Sequence, residues 1–284
     1  MRHIIYIIVA TLLCSCNATS TADDDGNKGK KAPKRIGLND KLYGDVDRMT
    51  INRYDIEDRF GELNKTLEST ELIIFNDKGN VDKSTYTYFD EKYGYSHTYI
   101  YEYADKSYCM TTYDADGVLQ SKDINLLDNK GNVVTSSSYD ENGELSRKWL
   151  ASYDNDVISK ATYYDGKGNM DTKYCYKNDG EEIIGMIKYN KEGKVEWRYD
   201  MERSGSEAYA QNIDAEGKVT NSYRLYYNRY DEVSKEIVYD ADSIITTQSL
   251  FTYDDRGNLI KSETFIGEAF IPGSCTEYEI IYRE

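Results

Sequence analysis

One histidine, His97, lies beyond the first sixteen residues, within Tyr93-Gly94-Tyr95-Ser96-His97-Thr98-Tyr99. A single imidazole cannot build a His-based metal site, although it could serve Cys-His or Ser-His chemistry. Neither Cys109 nor Cys175 sits in a nucleophile motif, so His97 reads as a strand residue. Cys109, Cys175 and Cys275 form an odd set that permits at most one disulfide, and their spacings match no metal framework. Paired carboxylates could hydrolyse glycosides, but most aspartates recur at one turn position, which is what capping a turn demands. Asp114-Ala115-Asp116-Gly117 has the start of a calcium loop without its twelfth-position Glu. The inventory predicts no catalytic residue, no metal and no cofactor.

These residues hang on a repeat. From about Phe75 onward one pattern recurs: an aromatic, Asp or Asn, two polar residues, Gly, one residue, then an apolar residue. Phe75-Asn76-Asp77-Lys78-Gly79-Asn80-Val81 and Tyr139-Asp140-Glu141-Asn142-Gly143-Glu144-Leu145 are clear copies. Others open at Tyr113, Leu127, Tyr164, Tyr189, Ile213 and Tyr253. The physical reading is a hairpin turn in which Asp or Asn caps through its side chain and Gly supplies the positive φ of a G1 bulge. Asp140 then pairs with Glu144, and Tyr139 stands opposite Leu145. Asp231 and Ser243 replace the glycine in two copies. Asp154-Asn155-Asp156-Val157 lacks it altogether, so that turn must differ.

Side chains alternate faces along a strand, so spacing between turns predicts facing. Val133 and Tyr139, and likewise Leu145 and Tyr153, are separated by even intervals, which predicts one shared packed face. Trp149 and Trp197 join it by parity. The chain is expected to run as an all-β, repetitive antiparallel hairpin meander of roughly 15 to 17 strands, forming an elongated, coiled or solenoid-like sheet. Arg147, Lys235, Lys261 and Glu263 fall mid-strand on the apolar-bearing face, which argues against a lipid-facing barrel. Tyr86, Tyr88 and Tyr226 have the opposite parity and are the candidate binding residues.

The Tyr-Asp-x-x-Gly-Asn copies, over residues from about 70 to 265, resemble the YD or RHS repeats of bacterial surface proteins. That resemblance implies a β-rich spiral or shell. The copies here are more closely spaced than typical YD repeats.

At the start, Arg2 and His3 precede an apolar run from Ile4 to Leu13, which is too short to span a bilayer as a helix. It ends in Leu13-Cys14-Ser15-Cys16, which resembles the lipobox of bacterial lipoproteins. The resemblance implies a signal peptide over 1–15, a diacylglyceryl Cys16, and membrane anchorage through that lipid in the bacterial envelope, at the outer membrane, with surface exposure as one form of it. Residues 16–45 read as the lipidated cysteine with a flexible tether, and 46–284 as the β-repeat domain. The tether carries Asp23-Asp24-Asp25 and then Lys28, Lys30, Lys31, Lys34 and Arg35. Formal net charge is -16, a field that repels phosphate backbones, so no nucleic acid is expected as a partner. The expected function is a non-enzymatic binding or interaction module for protein or polysaccharide. The alternatives are a structural envelope-assembly lipoprotein and a surface glycan hydrolase.

Overall fold

The structure is a computed structural model that describes residues 35, 37–38, 42–59, 61–180 and 182–284. Cys16, the signal segment and most of the tether lie outside the described residues. The first strands are β1 (Val46–Arg59), β2 (Glu62–Phe75), β3 (Val81–Tyr88), β4 (Tyr95–Ala104), β5 (Ser107–Asp114) and β6 (Leu119–Leu127). Next come β7 (Val133–Asp140), β8 (Leu145–Asp154), β9 (Val157–Asp165), β10 (Met170–Asp179), β11 (Glu182–Tyr189) and β12 (Val195–Ser204). The last six are β13 (Glu207–Asp214), β14 (Val219–Tyr227), β15 (Val233–Asp240), β16 (Ile245–Tyr253), β17 (Leu259–Ile266) and β18 (Ile271–Tyr282).

Each strand pairs antiparallel with its neighbours in sequence, and β1 also pairs with β18 from Val46↔Tyr282 to Asp55↔Ser274. The meander therefore closes into an 18-stranded barrel. This corrects the expectation of an elongated, coiled or solenoid-like sheet. Parity along a strand reports facing but not curvature, and the closing pair joins residues more than 200 positions apart. Closure removes the two unpaired edges that an open sheet would expose.

The turns form as derived. Asp140 N–H donates to Glu144 O at 3.0 Å, and Gly143 N–H to Asp140 O at 3.0 Å. Asp140 Oδ1 accepts from the N–H groups of Asn142 and Glu144 at 3.0 and 2.9 Å. Asp231 and Ser243 take the glycine's place at φ 63°. The divergent turn is a two-residue hairpin with Asn155 at φ 49° and Asp156 at φ 69°, the left-handed pair of a type I′ turn.

Facing departs from the parity argument for a specific reason. Just after each five-residue turn the register slips again: Leu127 faces Val133, but Leu126 faces Thr135. Likewise Tyr139 faces Leu145, while Ser138 faces Arg147. This second bulge puts one extra residue at the start of each following strand and reverses its facing. Val133 and Tyr139 thus lie on opposite faces despite their even spacing. Of the charges assigned to one face, Arg147 lies on the same side as Trp149, whereas Lys235, Lys261 and Glu263 lie on the other.

Two apolar clusters identify the interior. One joins Leu42, Val46, Met49, Ile51, Ile73, Phe75 and Val81. The other joins Met201, Ala208, Ala210, Tyr223, Leu225 and Val233. Their strand residues share one face of the closed sheet, as only the concave side lets them converge. Both clusters sit toward the rim where the chain enters and leaves. There Arg35 donates to Gly79 O at 2.8 Å and to Leu42 O at 3.3 Å. Fully buried Asn258 clasps the Tyr43 backbone, accepting at 2.6 Å and donating at 3.1 Å. The outer face carries Lys160, Lys173, Arg198, Arg224, Lys235 and Lys261 at mid-strand positions, where a lipid-exposed wall stays apolar.

Candidate functional site

Toward the far rim the interior turns polar and aromatic. β4 reads Tyr95-Ser96-His97-Thr98-Tyr99-Ile100-Tyr101-Glu102-Tyr103, so period-2 alternation sends five rings to the inside and Ser96, Thr98, Ile100 and Glu102 outward. The registers Tyr88↔Tyr95, Tyr86↔His97 and Ser84↔Tyr99 bring the inward residues of β3 against them. The rings form a continuous ladder. Tyr88 and Tyr86 lie 5.6 and 5.9 Å from Tyr95 by ring centre, Tyr95 meets His97 edge-on at 5.2 Å, and His97 stacks on Tyr99 at 6.5 Å. Further along the same face, Tyr101 and Tyr103 each meet Tyr108 on β5.

A cavity of about 580 Å³ opens along this ladder, lined by Glu71, Ser84, Tyr86, Tyr95, His97, Tyr99, Tyr101 and Met110. Glu71 supplies its one carboxylate. Ser84 Oγ donates to one carboxylate oxygen at 3.0 Å, and Arg53 Nη2 donates to the other at 3.3 Å. The Arg53 guanidinium also lies 5.9 Å from the Tyr86 ring centre. Arg53 Nη1 is buried with no acceptor among the described residues. Burial holds the hydroxyls of Tyr95, Tyr99, Tyr101 and Tyr103 above the ordinary tyrosine range, and the Glu71 charge adds to this at Tyr99 and Tyr101. All four are neutral hydrogen-bonding groups at physiological pH. The trough therefore combines aromatic faces with neutral hydroxyls and one positioned carboxylate.

The three tyrosines singled out by parity part company. Tyr86 lines the cavity and Tyr88 stands at its edge, both facing inward. Tyr226 lies on the outer face of β14, opposite Lys235 of β15. The second bulge accounts for the inward turn of the β3 pair. Sequence reasoning passed over Arg53, Glu71, Ser84, Tyr95 and Tyr99, yet the alternation from Tyr95 to Tyr103 was a visible signal. Cys109, Cys175 and Cys275 are free thiols, with Cys275 buried on the outer face beneath Glu277. Among the described residues no cluster of His, Cys, Asp and Glu could hold a metal ion.

No protein family matches the chain, and no curated protein does. The YD or RHS resemblance accordingly has no family match behind it. Among solved structures, a porin-like protein from Bacteroides uniformis is 12% identical with a TM-score of 0.46, over 83% of this chain and 97% of that one. A putative outer membrane lipoprotein-sorting protein domain from Vibrio parahaemolyticus is 7% identical with a TM-score of 0.27, over 82% and 85%. A LolA superfamily protein from Nitrosomonas europaea is 9% identical with a TM-score of 0.24, over 86% and 88%.

Proposed function

We propose that this is a lipid-anchored envelope protein whose barrel interior binds glycan without transforming it. The observation that carries this reading is the ladder Tyr86–Tyr95–His97–Tyr99 lining one cavity with Glu71. Sugar rings present apolar C–H faces and hydroxyl edges. Aromatic faces receive the first, while a carboxylate and neutral tyrosine hydroxyls receive the second. Glu71 is the cavity's single carboxylate and is engaged by Arg53 and Ser84, whereas paired-acid hydrolysis needs two. This supports binding over turnover. The envelope address rests on the lipobox-like Leu13–Cys16 segment, and the strongly negative net charge favours neutral over polyanionic ligands.

The test is direct. The protein, purified in detergent, should be retained by one or a few members of a panel of immobilised neutral polysaccharides and should release no reducing sugar from them. Retention by none, or steady turnover of one, would overturn the reading.

A further inference from the structure

We propose that a second aromatic platform, built from Trp149, Tyr163, Tyr174 and Trp197, extends the site around the interior wall, so that the ligand is a neutral oligosaccharide spanning both platforms. This rests on the glycan-binding reading above and adds the length and class of the ligand.

The four side chains come from β8, β9, β10 and β12 and all face inward, since Trp149↔Tyr163 and Ala161↔Tyr174 are cross-strand partners and Lys188 lies opposite both Tyr174 and Trp197. Trp149 and Tyr163 have ring centres 6.2 Å apart. Tyr163 meets Tyr174 edge-on at 5.9 Å, and Tyr174 meets Trp197 edge-on at 6.4 Å. None of the four belongs to either apolar core cluster, and all are only half-buried. They are ring faces presented to the interior rather than packing that closes it.

Trp149 adds an independent sign. Its Nε1 is buried and makes no hydrogen bond of good geometry among the described residues, the Tyr163 hydroxyl beside it being at most a weak acceptor. A buried donor without an acceptor is costly, and a ligand hydroxyl would satisfy it. Arg147, also facing inward two residues earlier, adds further donors at the edge of the platform.

The wall between the platforms suits the middle of a sugar chain. Inward positions on β6 and β7 are Ser121, Asp123, Asn125, Ser136 and Ser138, paired as Asp123↔Ser138 and Asn125↔Ser136. These short polar groups leave room for hydroxyl-bearing rings and offer both donors and acceptors. From β4 to β8 is four interstrand steps, about 19 Å along the wall, which a monosaccharide or disaccharide cannot bridge. Asp123 and the chain's negative field disfavour a polyanion.

Trp149 and Trp197 are the chain's two tryptophans, so emission excited beyond the tyrosine absorption band reports on this platform alone. The probe is a size-graded neutral oligosaccharide series, trimer to dodecamer, drawn from whichever polysaccharide retains the protein. Long members should shift or quench the tryptophan emission and bind at least about tenfold tighter than the trimer by calorimetry, as two added ring contacts would give. Tyr174→Ala and Trp197→Ala, each checked for an unchanged melting curve, should each cut that gain to roughly threefold, the double variant should erase it, and all should leave trimer affinity intact. A trimer that binds as tightly as the dodecamer, with no emission change for either, would overturn the second platform and leave the single-platform reading standing. Failure of every length to bind would overturn both.

Discussion

The Tyr253 hydroxyl on β16 donates at 2.7 Å to the backbone carbonyl of Val233, the first residue of β15. Tyr153 does the same to Val133 at 2.9 Å, and Tyr103 to Val81. Each accepting carbonyl lies at the second bulge, where the slipped register takes it out of the regular ladder. The tyrosine one strand later replaces the lost partner. An unpaired buried carbonyl is expensive, so Tyr253→Phe should lower stability by about 1 kcal/mol. Tyr164→Phe, on the outer face, should change little. Urea unfolding of the two variants checks this, and equal midpoints would contradict the bracing role.

Gly143 and Gly79 occupy equivalent turns at φ 80° and 77° but should respond differently to substitution. A Cβ at Gly143 would meet nothing within 4 Å, so only backbone strain acts there. Gly143→Val should cost about 1 kcal/mol or more, and Gly143→Asn much less, because asparagine tolerates the left-handed region. At Gly79 a Cβ would stand 2.5 Å from Arg35 Nη1. Gly79→Asn should therefore also loosen the chain's entry into the barrel, seen as faster proteolysis near Arg35 with the Gly143 variants unaffected.

The turns were legible because their chemistry is local: Asp140 and Gly143 act within a few residues. The departure at Asn155 and Asp156 was legible for the same reason. The second bulge was not, because Val133 and Leu145 carry no residue type that marks it; its trace is the spacing of 20 from Val133 to Tyr153 and from Val233 to Tyr253. Closure depends on Tyr54 meeting Cys275 across the whole chain length, a contact no local pattern announces. The site suffered accordingly. Parity singles out Tyr86 but points it to the outer face, and Glu71 and Arg53 become neighbours only once β1 and β2 lie side by side.

Glu236 makes stability depend on pH. It lies on the inner face of β15, near Tyr199 and Tyr223, and burial raises its carboxyl above the ordinary range. The folded state therefore holds this proton more tightly than the unfolded chain does. The stabilisation is complete below the unfolded value of about 4.3 and is lost as pH rises through the folded value. Glu236→Gln should gain on wild type progressively from pH 4 to pH 7 in paired urea titrations. A constant difference across that range would show that Glu236 titrates alike in both states.

The proposed acylation at Cys16 has a sharp chemical test. Cys16→Ser should abolish fatty-acid labelling and move the protein from the membrane to the soluble fraction, while Cys14→Ser should leave both unchanged. Persistent labelling of the Cys16 variant would refute the lipobox assignment.

The placement of the tyrosines allows the two faces of the wall to be compared within one protein. If ligand enters the interior, Tyr86→Ala and Tyr95→Ala should each weaken glycan retention by roughly three- to tenfold, the worth of one aromatic contact. Tyr226→Ala, on the outer face, should leave retention unchanged. Glu71→Gln separates stacking from hydrogen bonding. It keeps the shape and an accepting oxygen but loses the ion pair with Arg53, so it should weaken binding less than Tyr95→Ala while making what binding is left less sensitive to salt. Affinity chromatography of the four variants on the same polysaccharide, with melting curves to confirm folding, decides the matter. Loss of retention confined to Tyr226→Ala would move the site to the outer face of the barrel.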